Sequence, residues 1–272
     1  MEGKIWRKEM LINGLLVTAE YAEQDIETIF KPLLWKLTQL QKEKGRRLVV
    51  YFAAPPGLGK TTLARFLEDL SLNLEGITPL QAAGMDGFHH YGSYLKSHTT
   101  IRDGEEILLN SIKGAPETFD AGRLSEFIDR LKKEERILWP DYDRTLHDVV
   151  DDGYELFRDI IFLEGNYLLL SDELWKPLAE KADFTIYASA DLLLLKPRLA
   201  ARKMMSGYSR EEALQFVEKS DGRNARLVLN DRPQADLYLE YADGKWTAWT
   251  GSHKTADFNP DDGCKAAEKK FD

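Results

Sequence analysis

A chain of 272 residues with 43% hydrophobic and 31% charged residues is ordinary globular material, long enough to bury a sizeable core. Its formal net charge of -9 argues against broad attraction to nucleic-acid backbones or anionic lipid, so neither is expected as a partner. The single Cys264 excludes an intramolecular disulfide framework and reads as an incidental thiol, and no apolar run approaches the ~18 residues of a membrane span.

At the N-terminus no basic stretch precedes an apolar signal core, and the expected location is the cytoplasm. Met10-Leu11-Ile12-Asn13-Gly14-Leu15-Leu16-Val17 sets Asn-Gly between apolar runs, a type I′ hairpin signal. Ile26, Ile29, Phe30, Leu33, Leu34, Leu37 and Leu40 then recur at helical spacing, with Gly45 as a stop. Pro32 inside that pattern marks a kink or a fresh helix start. Residues 1–45 are expected to form a hairpin and helix packed on the main domain.

From Arg46 the pattern changes. Leu48-Val49-Val50-Tyr51-Phe52 is the continuous apolar run of a strand buried on both faces of a parallel sheet. A Gly/Pro loop follows, then Leu63, Phe66, Leu67 and Leu70 on one face of a helix. Thr78 to Met85, Asp159 to Leu163 and Asp183 to Ala188 read as further buried strands, with a weaker pattern at Asp236 to Glu240. Helical spacing lies between them, as at Leu124, Phe127, Ile128 and Leu131. Strands alternating with helices predict an α/β fold with a parallel sheet over residues 46–250. Residues 251–272 are polar, carry lysines near the end, and are expected to be a mobile tail.

Between the first buried strand and its helix lies Ala54-Pro55-Pro56-Gly57-Leu58-Gly59-Lys60-Thr61, which fits G-x-x-x-x-G-K-[ST] except that Ala54 replaces the first glycine. Gly57 and Gly59 allow backbone N–H groups to turn inward around a phosphate, and the following helix adds the positive end of its dipole. Lys60 supplies a mobile cation for the outer phosphates, and the Thr61 hydroxyl is a hard oxygen ligand suited to Mg²⁺. Pro56, Gly57, Leu58, Gly59, Lys60, Thr61 and Thr62 are therefore the expected nucleotide-binding residues. A phosphate loop alone gives nucleotide binding and not a reaction.

Two strand ends speak to the reaction. Met85-Asp86-Gly87-Phe88-His89-His90-Tyr91 follows the second run, and ligands of open parallel sheets bind beyond such carboxyl ends. A carboxylate at Asp86 can orient an acceptor hydroxyl and take its proton, the alternative being an Asp that caps the turn at Gly87. His89, His90 and Tyr91 would line the acceptor pocket. Asp159-Ile160-Ile161-Phe162-Leu163-Glu164-Gly165-Asn166-Tyr167 ends the third run in an acid, so Glu164 would hold Mg²⁺ opposite Thr61, the alternative being an exposed structural Glu.

The phosphate loop, Asp86-Gly87-Phe88 and Glu164-Gly165-Asn166 together resemble the phosphoribulokinase, uridine kinase and bacterial pantothenate kinase family. Lys113-Gly114-Ala115-Pro116-Glu117-Thr118-Phe119-Asp120 is similar to the Lys-Gly-x-Pro-Glu-Ser-Tyr-Asp stretch of pantothenate kinases. The next motif departs from theirs: Asp143-Arg144-Thr145 stands where they carry Ser-His-Leu, and His147 where they carry Tyr. Those positions line the acceptor pocket of that family, which puts pantothenate itself in doubt. The whole pattern is closer to kinase-like members of the superfamily without assigned function. The resemblance spans roughly residues 46 to 240 and implies a three-layer P-loop sandwich on a mainly parallel five-stranded sheet, ATP and Mg²⁺ as cofactors, and Asp86 as catalytic base.

Arg198 and Arg202 stand four apart on one face of an apolar helix, within a stretch (about 191–210) where related kinases carry a mobile lid. They could bracket the transferring phosphoryl group, or belong to a solvated basic stripe. Arg144 could meet the acceptor or pair with Asp141 and Asp143. Lys113 and Asn166 complete the candidate acceptor contacts. The expected activity is ATP-dependent transfer of a phosphoryl group to a hydroxyl of a sugar, nucleoside or pantothenate-like metabolite. The alternative is a P-loop ATPase acting as a switch on a protein partner, although no Asn-Lys-x-Asp guanine-reading motif is present. Oligomeric state stays open, a homodimer being common among relatives.

Overall fold

In the computed structural model, which describes residues 4–12, 15–231 and 233–251, Leu48–Ala53 (strand β3) lies at the heart of a six-stranded sheet. The N-terminal hairpin pairs β1 (Ile5–Ile12) with β2 (Leu15–Ala22) in antiparallel register. Its Asn13-Gly14 turn, Cys264 and the tail from residue 252 lie outside the described residues. The chain continues as one helical rod: α1 (Glu23–Asp25), a π-helical turn at Ile26–Phe30, and α2 (Lys31–Lys44), ended by left-handed Gly45. Pro32 follows closely on the π-helical turn, an irregularity of the kind that accompanies a proline inside a helix.

The continuous apolar run of β3 has a simple cause. Leu48, Val50 and Phe52 face one core, and Val49, Tyr51 and Ala53 face the other. Both faces of the strand are covered, as the run predicts. After the phosphate loop comes α3 (Lys60–Leu72), then β4 (Leu80–Gly84), shorter than the Thr78 to Met85 expectation. Trp6, Tyr21 and Phe30 converge on Phe66 of α3, with ring centroids 4.4 to 5.7 Å away. The N-terminal segment is thereby seated on the helix that carries the phosphate loop.

A 3₁₀ turn at Asp86–Phe88 leads to α4 (Gly92–Ser97), the hairpin β5 (Thr99–Arg102) with β6 (Glu105–Leu108), and α5 (Ala121–Leu131). A longer hairpin, β7 (Ile137–Asp143) with β8 (Asp148–Leu156), has a register break between Trp139 and Asp141, at Pro140. Proline has no N–H to give the ladder, which suits it to a bulge. The chain then enters β9 (Ile160–Gly165), α6 (Lys176–Ala179), β10 (Phe184–Ala190), α7 (Leu192–Met205), α8 (Arg210–Phe216), α9 (Gly222–Asp231), β11 (Leu237–Ala242) and β12 (Lys245–Trp249).

The strand order is β12-β11-β10-β3-β9-β4. The five strands from β11 to β4 run parallel, and β12 adds an antiparallel edge, so the expected five-stranded sheet has a sixth member. Layers of helix on both faces make the α/β sandwich. Three hairpins outside the parallel set, β5–β6, β7–β8 and the β11–β12 return, were not foreseen.

Candidate active site

The loop after β3 is shaped by its glycines. Gly57 and Gly59 have φ of 86° and 90°, a left-handed backbone that side-chain-bearing residues avoid. A Cβ at Gly59 would meet nothing within 4 Å, so the bend opens on free space, whereas at Gly57 it would lie 2.9 Å from Leu199 of α7. The helix carrying Arg198 and Arg202 therefore packs directly on the loop. Pro56 and Leu58 are buried, Gly59 is exposed, and Lys60 and Thr62 are half-buried at the first turn of α3.

The carboxyl end of β9 meets that turn. Glu164 is 7% exposed. Its Oε1 accepts a 2.7 Å hydrogen bond from the Thr61 hydroxyl, and its Oε2 lies 4.0 Å from Lys60 Nζ. Burial, the largest influence, pushes the Glu164 carboxyl above the usual range; Asp86 acts the same way, while Lys60, the Thr61 hydroxyl and Arg65 oppose. An exposed structural Glu this is not.

One strand over, β4 ends at Gly84, and Asp86 opens the 3₁₀ turn beyond it. The β7–β8 hairpin clamps that point: Trp139 Nε1 donates to the Gly84 carbonyl (2.9 Å), and the Gly84 amide donates to the Tyr154 hydroxyl (3.1 Å). Gly87 presses on β7, since a Cβ there would lie 2.1 Å from the Pro140 carbonyl oxygen. Asp86 lines a small cavity with Thr61, Arg65, Asp141, Tyr154 and Glu164. Thus Asp86, Glu164, Thr61 and Lys60, far apart in sequence, stand together at the carboxyl ends of β3, β9 and β4.

His89 is buried, with Nδ1 2.8 Å from the Asp86 carbonyl oxygen and its ring against Phe119. A carbonyl only accepts, so Nδ1 carries the proton and Nε2 keeps its lone pair. Burial, its largest influence, pushes the imidazole below its ordinary value, with Asp86 opposing. His90 turns away to stack on Tyr94, and the Tyr91 hydroxyl donates to Asp151 (2.6 Å). Lys113 Nζ donates to the His147 carbonyl (2.8 Å) and lies 4.7 Å from the Tyr142 ring centre. Asn166 Oδ1 is buried with no hydrogen-bond partner among the described residues.

Arg198 and Arg202 rest on separate partners. Arg198 lies over the Tyr241 ring at 5.0 Å, and Arg202 donates to Asp221 at 3.3 Å. Arg144 pairs with neither Asp141 nor Asp143: Asp143 Oδ1 accepts from the Thr145 and Leu146 amides, and Asp141 Oδ1 from the Tyr142 amide. Sequence reasoning missed Arg65, Asp141 and Tyr154. Only Arg65 left a local signal, four residues after Thr61 and so on the same helical face.

No family model matches the chain. An uncharacterised Escherichia coli K12 protein, YggC, is 41% identical over 233 residues, which cover 85% of this chain and 94% of that protein. A provisionally named uridine kinase of Schizosaccharomyces pombe is 28% identical over 201 residues, 72% of this chain and 83% of its own. Among solved structures, a provisionally assigned fructose transport system kinase from Silicibacter sp. TM1040 superposes with a TM-score of 0.65 at 29% identity. It covers 77% of this chain and 98% of its own. No helix among the described residues is long and apolar enough to cross a membrane. The glycine bend, its lysine and threonine, the acids at the two neighbouring strand ends and these relatives agree: the chain belongs to the phosphoribulokinase, uridine kinase and bacterial pantothenate kinase family of P-loop kinases and is a phosphotransferase.

Proposed function

We propose that this kinase uses ATP with Mg²⁺ to phosphorylate a hydroxyl of a small metabolite in the cytoplasm: a sugar, a nucleoside or a pantothenate-like alcohol. The observation that carries the reading is the meeting of Thr61, Glu164 and Lys60 beside the glycine bend, with Asp86 on the same cleft.

The residues fit the cofactor. The left-handed backbone at Gly57 and Gly59 is the kind a loop needs to turn successive amides toward phosphate oxygens. Thr61 and Glu164 offer the hard oxygens Mg²⁺ prefers, and Lys60 stands beside them. Among the described residues no three His, Cys, Asp or Glu side chains cluster to hold a metal. Mg²⁺ needs no such cage, because it keeps waters and phosphate oxygens as ligands. Magnesium-bound ATP, once in place, supplies the phosphoryl group and the counter-charge for its leaving oxygens.

The chain's own residues do the rest. Asp86 accepts the hydrogen bond of the acceptor hydroxyl, aims it, and takes its proton as transfer completes. Gly87, pressed on Pro140, holds that carboxylate in position. His89, kept neutral by burial, presents Nε2 as a fixed acceptor, and the unpartnered Oδ1 of Asn166 offers another. Arg198 and Arg202 would steady the charge on the transferring group, for which they must leave Tyr241 and Asp221.

A screen of pooled sugars, nucleosides and vitamins with ATP and Mg²⁺, read by the mass of phosphorylated products, tests the reading. It predicts one product heavier by a phosphoryl group. ADP release stimulated by a protein partner and by no small alcohol would overturn it.

A further inference from the structure

Tyr154 makes half of the clamp on Gly84 and has a hydrogen-bonding capacity that the clamp does not use. Trp139 is its cross-strand neighbour, and the two side chains take the two backbone groups of Gly84, Trp139 the carbonyl and Tyr154 the amide. In the second bond the phenol oxygen is the acceptor. Its own O–H meets no acceptor among the described residues. Tyr51, Tyr167, Tyr187 and Tyr238, by contrast, each donate to a backbone carbonyl. A phenol can both donate and accept, so the donor of Tyr154 is left over. Burial, the largest influence, pushes this hydroxyl above its ordinary value, which keeps the proton on the oxygen.

The phenol stands on the wall of the site. Tyr154, Asp86, Thr61 and Glu164 line one cavity of about 30 Å³, room for a group the size of a water or a hydroxyl. The ring is held in place: the Arg65 guanidinium lies over it, 5.9 Å from its centre. Gly153 lets β8 close on β7, since a Cβ there would lie 2.4 Å from Asp141 Cβ. A group in that cavity answers both walls if it brings a lone pair for Tyr154 and a proton for Asp86. An alcohol oxygen has both. A magnesium-bound water turns its lone pair to the metal and its protons outward, so it suits the carboxylates and not the phenol. A phosphate oxygen has no proton for Asp86.

We propose that Tyr154 is a further catalytic residue of the phosphotransfer: its O–H donates to the oxygen of the same acceptor hydroxyl whose proton Asp86 receives. The inference rests on the kinase reading and deepens it. Held between a donor and an acceptor, that oxygen has one lone pair left for the phosphorus. The new O–P bond forms as the bond from phosphorus to the departing ADP oxygen breaks. The hydroxyl proton passes to Asp86, and Tyr154 keeps its own.

The test follows transfer from ATP and Mg²⁺ to glycerol, fructose, uridine and pantothenate, each alone, and to water as basal hydrolysis. For whichever of the four is phosphorylated, Tyr154→Phe should lower kcat/KM by about 10- to 100-fold, with calorimetric affinity for a non-hydrolysable ATP analogue unchanged. That variant also leaves the Gly84 amide unpaired, and Tyr154→3-fluorotyrosine separates the two roles. Fluorine makes the phenol a stronger donor and a weaker acceptor. The proposed contact therefore keeps kcat/KM at or above wild type while the clamp weakens and Tm falls. A purely structural role makes kcat/KM fall together with Tm and overturns the proposal. Unchanged kcat/KM in Tyr154→Phe, or a loss that appears in ATP-analogue affinity, would overturn the contact and leave the kinase reading standing. If none of the four is phosphorylated, the kinase reading fails for these acceptor classes. Basal hydrolysis, in which water takes the place of the alcohol, then decides the contact: a drop of about 10-fold in Tyr154→Phe upholds it, and no drop overturns it. A wild type that consumes no ATP overturns both.

Discussion

Gly87→Ala stresses the joint that positions Asp86. A Cβ at residue 87 would lie 2.1 Å from the Pro140 carbonyl oxygen, 2.3 Å from its carbonyl carbon and 2.7 Å from the Asp141 nitrogen. All three are backbone atoms of β7, itself paired along β8, so no side chain can swing aside. Restoring ordinary 3.4 Å contact asks for about 1.3 Å of movement. The backbone at Gly87 is not left-handed, so alanine fits its dihedrals and the effect is steric alone. Overpacking costs about 1–3 kcal/mol, and a contact made only with backbone belongs at the upper end. In a chain this long, about 3 kcal/mol lowers Tm by about 6–12 °C. If the turn yields instead, Asp86 moves with it, and a shift of about 1 Å costs about 10²-fold in rate. Calorimetry paired with acceptor-dependent ADP release measures both losses. Gly59→Ala is the contrast: nothing lies within 4 Å, so only its left-handed backbone resists, at about 1–2 kcal/mol. A Gly87→Ala protein with unchanged Tm and rate would refute the steric reasoning.

Three further outcomes are expected. Glu164 has its carboxyl raised by burial, so ionising it costs stability as pH climbs from the unfolded value of 4.5 through the folded one. Ligand-free Glu164→Gln should therefore gain on wild type in urea unfolding as pH rises above 4.5, while phosphotransfer falls about 10²-fold or more; a stability gap that runs the other way contradicts this. Asp183 is pushed up by burial, but the paired Arg46 guanidinium, the Val49 amide and Lys44 outweigh that and hold it at about 2. It contributes about 2 kcal/mol above pH 4, lost as pH falls from the unfolded 3.8 toward 2, so Asp183→Asn should lower Tm by about 4–8 °C at pH 7 and by little at pH 2. Arg198→Ala and Arg202→Ala should each lower kcat by about 10²- to 10³-fold with ATP binding retained, and an unchanged kcat would return them to a surface stripe.

The parallel sheet could be read because strands covered on both faces cannot carry polar residues, and β3 and β9 carry almost none. The phosphate loop could be read because left-handed backbone demands glycine at 57 and 59. Two of the missed hairpins had left a signal: Asp103-Gly104 and Asp243-Gly244 both adopt positive φ between short strands, the Asp-Gly form of a type I′ turn. The β7–β8 hairpin left none so plain. Its strands are rich in aspartate, and its turn is closed by the Asp143 side chain. Asp141 and Tyr154 stayed hidden for that reason, since they enter the site only when this hairpin grips Gly84. Arg198 and Arg202 show the opposite limit. Helical spacing placed them on one face, but Tyr241 and Asp221 decide where each one rests.

Asp86→Asn, assayed with the acceptor found by screening, probes the core of the mechanism, because it keeps the shape of the side chain while removing its negative charge and with it the capacity to take a proton. Phosphotransfer should fall by about 10²- to 10⁴-fold while calorimetric ATP affinity stays unchanged. Turnover within a few-fold of wild type would show that the acceptor hydroxyl is not governed from residue 86.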